Sequence, residues 1–187
     1  MQFEMIASIT NDRSIGLQGY LLHRIEEDMK FFRIETTRKV DDFDQPTKEG
    51  KENSLIVGRE TYEGMMGAAT KYPLLPGRRI IVITRNISYP TKDVVCTSLQ
   101  AAYDNAIAFG SKRIFVIGGQ SLFEEALPFT RRIFLTRIHS DKHGDRFFPP
   151  FENDFVEAPT KKRGVSSDGI TYEICTYTRK GTAEFMI

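Results

Sequence analysis

The sequence predicts an α/β fold, a single domain whose central, largely parallel sheet is flanked by helices. Short apolar runs alternate with amphipathic segments along the chain, the order typical of parallel strands joined by helices. Several of these runs are apolar on both faces, as expected of strands that helices cover on either side. A length of 187 residues suits one domain with a substantial core.

Six short apolar runs are the predicted strands. The first four are "FEMIASIT", "SLIVG", "RIIVIT" and "RIFVIGG", and the last, "ITYEICTYTR", alternates in polarity. In chain order the six runs cover residues 3–10, 54–58, 79–84, 113–119, 131–139 and 170–179.

Two helices are predicted between the later strands. "SLQAAYDNAIAFG", residues 98–110, has Ser98 as its N-cap and Gly110 at its end. One apolar stripe follows this helix: Leu99, Ala102, Tyr103, Ala106 and Ile107. "SLFEEALP", residues 121–128, is a shorter helix that Pro128 ends.

The polar segments are predicted to be connections. Residues 36–53 are polar and charged, and we interpret them as a solvated link before the strand at residue 54. The folded domain is expected to span residues 1–180, followed by a short C-terminal tail at residues 181–187.

Charge and hydropathy exclude two classes of partner. Lys and Arg number 26 against 25 Asp and Glu, so the net charge is +1 and the basic excess of a nucleic-acid surface is missing. No apolar run reaches the roughly 20 residues that span a bilayer, and the N-terminus lacks the pattern of a signal peptide. We expect a cytoplasmic protein, and a monomer, that binds neither nucleic acid nor membrane.

Cysteine and histidine usage predicts no metal site. Cys96 and Cys175 are the only cysteines, and we interpret them as buried thiols in a reducing compartment. His139 and His143 have the i, i+4 spacing of helical metal ligands, but their segment has turn composition and no further ligand cluster.

A carboxylate on an apolar helix face is the most unusual feature of the sequence. In "GYLLHRIEEDMKFFRIETT", residues 19–37, apolar residues recur at i, i+4 and i+7: Ile25, Met29 and Phe32. Asp28 falls at i+3, on that same face. An acid there serves either chemistry or the helix dipole. Glu26 and Glu27 already fill the second role from more exposed positions, which favours the first for Asp28.

Glycines and arginines follow several of the predicted strands. Gly118 and Gly119 end one strand, Gly58 and Arg59 follow another, and Arg85 follows a third. Glycine lets backbone approach a ligand closely, and arginine binds phosphate well, so these residues suit a phosphate site at the carboxyl edge of the sheet. Ordinary turns with solvated arginines explain each feature equally well. The spacing is not the GxGxxG pattern of dinucleotide-binding proteins.

Taken in order, these segments resemble the dihydrofolate reductase family. The resemblance rests on "IASITNDRSIG", "EEDMKFF", "LIVGRETYEGM", "LPGRRIIVITRN", "IFVIGGQSLFEEALP", "IFLTRIHSDKHGDRFFP" and "YEICTYTR", spread over residues 4–179. It implies that family's single-domain fold, a mostly parallel sheet with an antiparallel C-terminal strand. It also implies NADPH-dependent reduction of 7,8-dihydrofolate to 5,6,7,8-tetrahydrofolate, an activity of one-carbon metabolism and a target of antifolates.

The resemblance assigns substrate-binding and catalytic residues. Asp28 matches the acid of the pterin pocket, and Thr136 matches the threonine that hydrogen-bonds both acid and pterin. Arg78 matches the arginine that binds the glutamate α-carboxylate of folate. The remaining matches form the walls of the substrate pocket: Ser8, Ile9, Phe32 and Met65.

The resemblance also assigns cofactor-binding residues. Those near the nicotinamide are Ala7, Ile15, Gly16 and Ile117, and those of the pyrophosphate segment are Gly118, Gly119, Ser121 and Leu122, with a cis peptide between the two glycines. Those near the other phosphates are Gly58, Arg59, Thr61, Thr84 and Arg85, where both arginines would read the 2′-phosphate that distinguishes NADPH from NADH.

The chain departs from the family before Asp28. Where the family has Leu-Pro-Trp, this chain has Leu21-Leu22-His23, Glu26 replaces the usual proline, and tryptophan is absent throughout. We expect His23 to take the place of the indole donor, the loop at residues 11–24 to be less rigid, and the rate to depend more on pH.

Two other functions compete with this reading. A pyrimidine reductase of riboflavin synthesis has a similar fold and uses NADPH, but Asp28, Phe32 and Arg78 suit a pterin with an aminobenzoyl-glutamate tail better than a ribitol phosphate. The chain could also be a relative that binds ligands but catalyses weakly. The loss of Leu-Pro-Trp allows that alternative, whereas the presence of Asp28 and Thr136 argues against it.

Overall fold

The computed structural model of the chain describes residues 1–38, 53–68, 75–159 and 162–181. Its strands are β1 (Phe3–Ile9), β2 (Ser14–Gly16), β3 (Asn53–Gly58), β4 (Arg79–Ile83), β5 (Val94–Cys96), β6 (Arg113–Val116), β7 (Thr130–Ile138), β8 (Arg146–Phe147), β9 (Phe155–Glu157), β10 (Lys162–Val165) and β11 (Thr171–Arg179). Its helices are α1 (Glu26–Thr37), α2 (Arg59–Ala68), α3 (Leu99–Phe109) and α4 (Gln120–Ala126), and a 3₁₀ turn follows at Leu127–Phe129. All six predicted strands are present, with slightly shifted ends.

The main sheet confirms the predicted fold class. Its strand order is β10-β11-β7-β1-β6-β3-β4-β5, and β9 also pairs with β11. The strands from β7 to β5 in that order run parallel, whereas β11 is antiparallel to β7. Two further short strands, β2 and β8, pair outside this sheet.

Side chains of the sheet alternate between two layers of helices, as neighbouring residues of β3 illustrate. Ile56 belongs to the core cluster that includes α3 and α4. Leu55 packs against the phenyl rings of α1, and Val57 packs against α2. Helices α1 and α2 therefore cover one face of the sheet, and α3 and α4 cover the other.

A buried ion-pair network fastens α1 to the sheet. Arg113 on β6 donates to Glu4 of β1 at 2.6 Å and to Glu35 of α1 at 2.7 Å, and all three side chains are buried. Because removing one partner would leave a buried charge unpaired, such a network holds its elements in one arrangement.

Helix α1 corrects two predictions. It runs to Thr37, and Thr36 is fully buried, so the solvated link does not start at residue 36. Asn53 is also buried, and its Nδ2 donates to the carbonyls of Thr36 and Arg38, both at 3.0 Å. Met29, predicted on the apolar face, is 37% exposed. The rest of the predicted link, residues 39–52, lies outside the described residues.

The caps of α3 confirm its predicted ends. Ser98 Oγ accepts a hydrogen bond from Ala101 N, and Gly110 has a left-handed φ of 86°. Ile107, however, is 52% exposed and lies outside the buried stripe. Pro128 does not end α4, which stops at Ala126, but lies inside the 3₁₀ turn.

Both cysteines are buried, as predicted. Among the described residues, no helix has the length and hydropathy of a membrane span. The predicted C-terminal tail lies outside the described residues apart from Gly181.

Candidate active site

Asp28 lies half-buried in the first turn of α1. Burial raises the pKa of its carboxyl group, because a charged carboxylate is disfavoured away from water, and the nearby hydroxyls of Thr136 and Ser8 partly oppose that rise. Ser8 and Thr136 are register partners on the neighbouring parallel strands β1 and β7. The sheet therefore places two hydroxyls beside the acid.

Thr136 has an unused hydrogen-bonding group. Its side chain is 1% exposed, and its Oγ1 makes no hydrogen bond of normal geometry within the described ranges of the chain. Buried hydroxyls are usually satisfied. This one is therefore suited to a ligand that enters beside Asp28.

Arg78 is a buried cation without a counter-charge in the part of the chain that the structure describes. It is 4% exposed, and one N–H donates to Thr36 Oγ1 at 2.8 Å, while Nε has no partner among the described residues. Burial, with a smaller contribution from Arg33, lowers the pKa of Arg78 to about 10. No carboxylate of the described residues pairs with it, so the site suits an anionic group of a ligand.

Helix α1 connects the acid to this cation. Asp28, Phe32 and Thr36 follow at i, i+4 and i+8 and so share one helix face, about 12 Å from end to end at 1.5 Å per residue. Arg78 bonds to Thr36 and lies over the Phe32 ring at 5.8 Å. A ligand with a hydrogen-bonding ring at one end and a carboxylate at the other fits this spacing.

Only some of the residues predicted to line the substrate pocket lie beside Asp28. Ser8, Phe32 and Met65 are half-buried on the side of the sheet that α1 and α2 cover. Ile9 is wrong as a wall residue, because it is 2% exposed in the core cluster of α3 and α4, on the opposite face. Strand alternation instead puts Ile6 beside Phe31 and Phe32, and sequence reasoning missed it.

His23 contacts the loop after β7 rather than the acid. Its Nε2 lies 2.8 Å from Ser140 Oγ, and no hydrogen bond joins it to Asp28 among the described residues. Burial, and to a lesser extent the charge of Lys142, lowers the pKa of His23. This shift favours the neutral imidazole.

A second cleft, of about 770 Å³, opens at the carboxyl edge of the sheet. Eight predicted cofactor residues line it: Gly58, Arg59, Thr61, Thr84, Arg85, Gly119, Ser121 and Leu122. The other five do not line this cleft. Ala7 and Ile15 pack on the α3 and α4 core, Ile117 packs on the opposite face, Gly16 pairs with Arg146 in the small sheet, and Gly118 is buried.

Close backbone approach explains the glycines at this edge. Gly58 N donates to Gly118 O at 2.7 Å, and the Gly118–Gly119 peptide is cis, as the family resemblance implied. A Cβ on Gly119 would lie 3.0 Å from Thr61 Oγ1, and a Cβ on Gly58 would lie 3.5 Å from Gly119 N. The packing against Thr61 therefore leaves little space for a side chain at Gly119.

The cleft contains charged residues that sequence reasoning missed. Arg146, on β8, lines it together with Glu60 of α2, and their side chains approach to 3.7 Å. Arg59 is exposed and forms a bidentate pair with Glu63, which raises the pKa of the guanidinium. Arg146 belongs to a two-residue strand whose sequence carries no recognisable signal.

The loop after β7 holds the loop after β1 at several points. His143 Nδ1 lies 2.6 Å from Asp12 Oδ2, and Lys142 Nζ donates to Leu22 O at 2.8 Å. Gln18 N donates to Asp145 at 3.2 Å.

Across the described ranges, no cluster of His, Cys, Asp and Glu suits a metal ion.

Comparison with known proteins identifies relatives of this chain. A family model described as dihydrofolate reductase matches residues 2–179. A dihydrofolate reductase from Aedes albopictus is 34% identical over 163 residues, 82% of either chain, and one from Neisseria meningitidis is 29% identical over 96% of this chain and 99% of its own. The Enterococcus faecalis dihydrofolate reductase, solved with NADP(H) and RAB-propyl, superposes with a TM-score of 0.73 at 28% identity over 96% of both chains.

Proposed function

The chain belongs to the dihydrofolate reductase family, and on that premise we propose that Asp28, Thr136 and Arg78 support the reduction of 7,8-dihydrofolate to 5,6,7,8-tetrahydrofolate by NADPH. One observation carries the assignment of these residues. A half-buried acid and a buried arginine stand at opposite ends of one face of α1. Among the described residues the arginine has no carboxylate partner, and a hydroxyl beside the acid has no hydrogen-bond partner. Dihydrofolate has a pterin ring at one end and a glutamate at the other.

Asp28 binds and helps to protonate the pterin. Its two carboxyl oxygens suit parallel hydrogen bonds from N3 and the 2-amino group, and Thr136 Oγ1 is free to complete that network. Because its pKa is raised, Asp28 stays protonated to a higher pH than a fully solvated aspartate does. When Asp28 is ionised, its negative charge stabilises the positive charge that the pterin gains as N5 takes up a proton from water.

Arg78 binds the glutamate α-carboxylate. Its unpartnered Nε and its desolvated charge strengthen a bond to an incoming anion. Thr36 holds the guanidinium from α1, so the cation is already in position before the substrate binds.

The cleft beside Gly58 and Gly119 fits the cofactor. Its glycine turns suit a phosphate because backbone without side chains can approach a ligand closely, and Arg59, Arg85 and Arg146 line its walls. When bound, NADPH supplies the hydride that reduces C6 of the pterin. Arg59 and Arg85 would hold the 2′-phosphate.

The location and oligomeric state remain our proposals. The two buried cysteines, Cys96 and Cys175, support a reducing, cytoplasmic location. We expect a monomer, and sedimentation equilibrium of the purified chain tests that expectation.

Dihydrofolate-dependent consumption of NADPH tests the function. We expect the purified chain to oxidise NADPH only when dihydrofolate is present, and NADH much more slowly at equal concentration. Consumption of NADPH with a ribosylamino-pyrimidine phosphate, but not with dihydrofolate, would instead support the riboflavin pyrimidine reductase. Binding of both ligands without turnover would identify a catalytically weakened relative.

A further inference from the structure

Arg59 and Glu63 form a bidentate ion pair at the edge of the cofactor cleft. Arg59 opens α2, and its Nη1 lies 2.9 Å from both carboxyl oxygens of Glu63, one helical turn later. The Tyr89 hydroxyl donates to Glu63 at 3.2 Å, so a second element also holds this carboxylate. Arg59 lines the cleft, whereas Glu63 is not among the lining residues.

We propose that Glu63 competes with the 2′-phosphate of the cofactor for Arg59, and so reduces the preference for NADPH over NADH. The inference rests on the proposed function, because that function brings the 2′-phosphate to Arg59. The charge of Arg59 is already balanced by the Glu63 carboxylate when the 2′-phosphate reaches it. Two anions that share one cation also repel each other, which offsets part of the attraction.

An orienting role for Glu63 predicts the opposite effect. In that case the carboxylate would hold Arg59 ready for the phosphate, and its removal would weaken binding. Competition is favoured because both side chains are 43% exposed, and exposed pairs constrain geometry weakly. Glu63 would then act mainly through its charge.

Glu60 provides a charge-matched control on the same helix. Its carboxylate lies 3.9 Å from Arg59 and makes no bidentate contact with it. Glu60→Gln and Glu63→Gln raise the local charge equally, but only the second releases Arg59 from its paired carboxylate. A difference between them isolates the pair from the general field of the cleft.

Calorimetric titration of the full chain with NADP⁺ and NAD⁺ tests the proposal. We expect E63Q to bind NADP⁺ about three- to tenfold more tightly than wild type, the size of one partly screened charge interaction. NAD⁺ affinity should stay within about twofold, because NAD⁺ lacks the 2′-phosphate. E60Q should strengthen NADP⁺ binding less than E63Q, and in an Arg59→Gln background E63Q should lose most of its effect.

Five outcomes would overturn the proposal. Weaker binding of NADP⁺ to E63Q would assign Glu63 an orienting role. If E60Q and E63Q changed NADP⁺ affinity equally, the effect would come from net charge and not from the Arg59–Glu63 pair. If E63Q strengthened NADP⁺ and NAD⁺ binding equally, the 2′-phosphate would not be the group that competes with Glu63. If the wild-type chain bound neither dinucleotide, the proposed function would be rejected as well. If the wild type bound NADP⁺ and E63Q bound it with the same affinity, this inference alone would be rejected.

Discussion

Arg78 donates a 2.8 Å hydrogen bond to the hydroxyl of Thr36, so the cation before β4 is held by the end of α1. Both residues are buried. Helix α1 thus supports a binding group at each end, since Asp28 lies in its first turn and Thr36 in its last. Because both residues belong to one helix, the length of that helix fixes the distance between the two groups.

Replacing Arg78 should separate substrate binding from chemistry. We expect Arg78→Leu to raise KM for dihydrofolate about 10- to 100-fold, the loss of one or two charge-assisted hydrogen bonds, with a much smaller change in kcat. Steady-state kinetics measure both constants. Dihydropteroate, which lacks the glutamate, is the control substrate: if the variant loses as much with it, Arg78 does not bind the carboxylate.

Replacing the acid should abolish chemistry and spare the cofactor. Asp28→Asn keeps the size of the side chain but removes its titratable proton, so we expect kcat to fall by about 10²- to 10⁴-fold at neutral pH, the range for loss of an acid–base group. NADP⁺ affinity, measured by calorimetry, should stay within about twofold. Unchanged turnover would remove Asp28 from the mechanism.

The same variant should also be more stable at neutral pH. The folded-state pKa of Asp28 is raised, so between its unfolded and folded pKa values the native state binds more protons, and stability falls as pH rises through that window. Asparagine lacks this penalty. We expect the melting temperature of Asp28→Asn to exceed that of wild type at pH 7 and the difference to shrink towards pH 3; a constant difference would contradict the assignment.

His23 should influence activity only on the acid side. Its pKa lies below the usual value because of burial and Lys142, so protonation destabilises the folded state as pH falls from about 6.5. We expect the pH profile of kcat/KM to lose an acidic inflection in His23→Gln and in His23→Trp. Profiles that coincide with wild type would show that His23 does not tune the rate.

Arg146 should bind a phosphate that NADPH and NADH have in common. It lines the cleft beside Gly119 and Gln120, and its nearest carboxylates are 3.7 Å away. We expect Arg146→Gln to weaken NADP⁺ and NAD⁺ about equally, by about 3- to 30-fold, since one phosphate contact is lost. Arg163→Gln, which removes an exposed arginine on β10, is the charge-matched control. A loss confined to NADP⁺ would place Arg146 at the 2′-phosphate instead.

Local patterns in the sequence identified most elements of the fold. The strands were recognised because buried residues repeat along them, and the ends of α3 because Ser98 and Gly110 have specific capping geometries. Asp28 stood out because a carboxylate interrupted an apolar face. Each of these signals depends only on residues within a few positions of one another.

The sequence by itself therefore determined the α/β alternation and marked the acid, whereas the tertiary structure decided which groups meet. Ile6 rather than Ile9 lies on the side of α1 because the packing of that helix selects one face of β1. Arg78 is buried because the turn before β4 meets the end of α1, and no carboxylate of the described residues pairs with it there. Arg146 reaches the cleft only because β8 pairs with β2. Such contacts depend on strand order and register, which join residues far apart in the chain, so no local repeat records them.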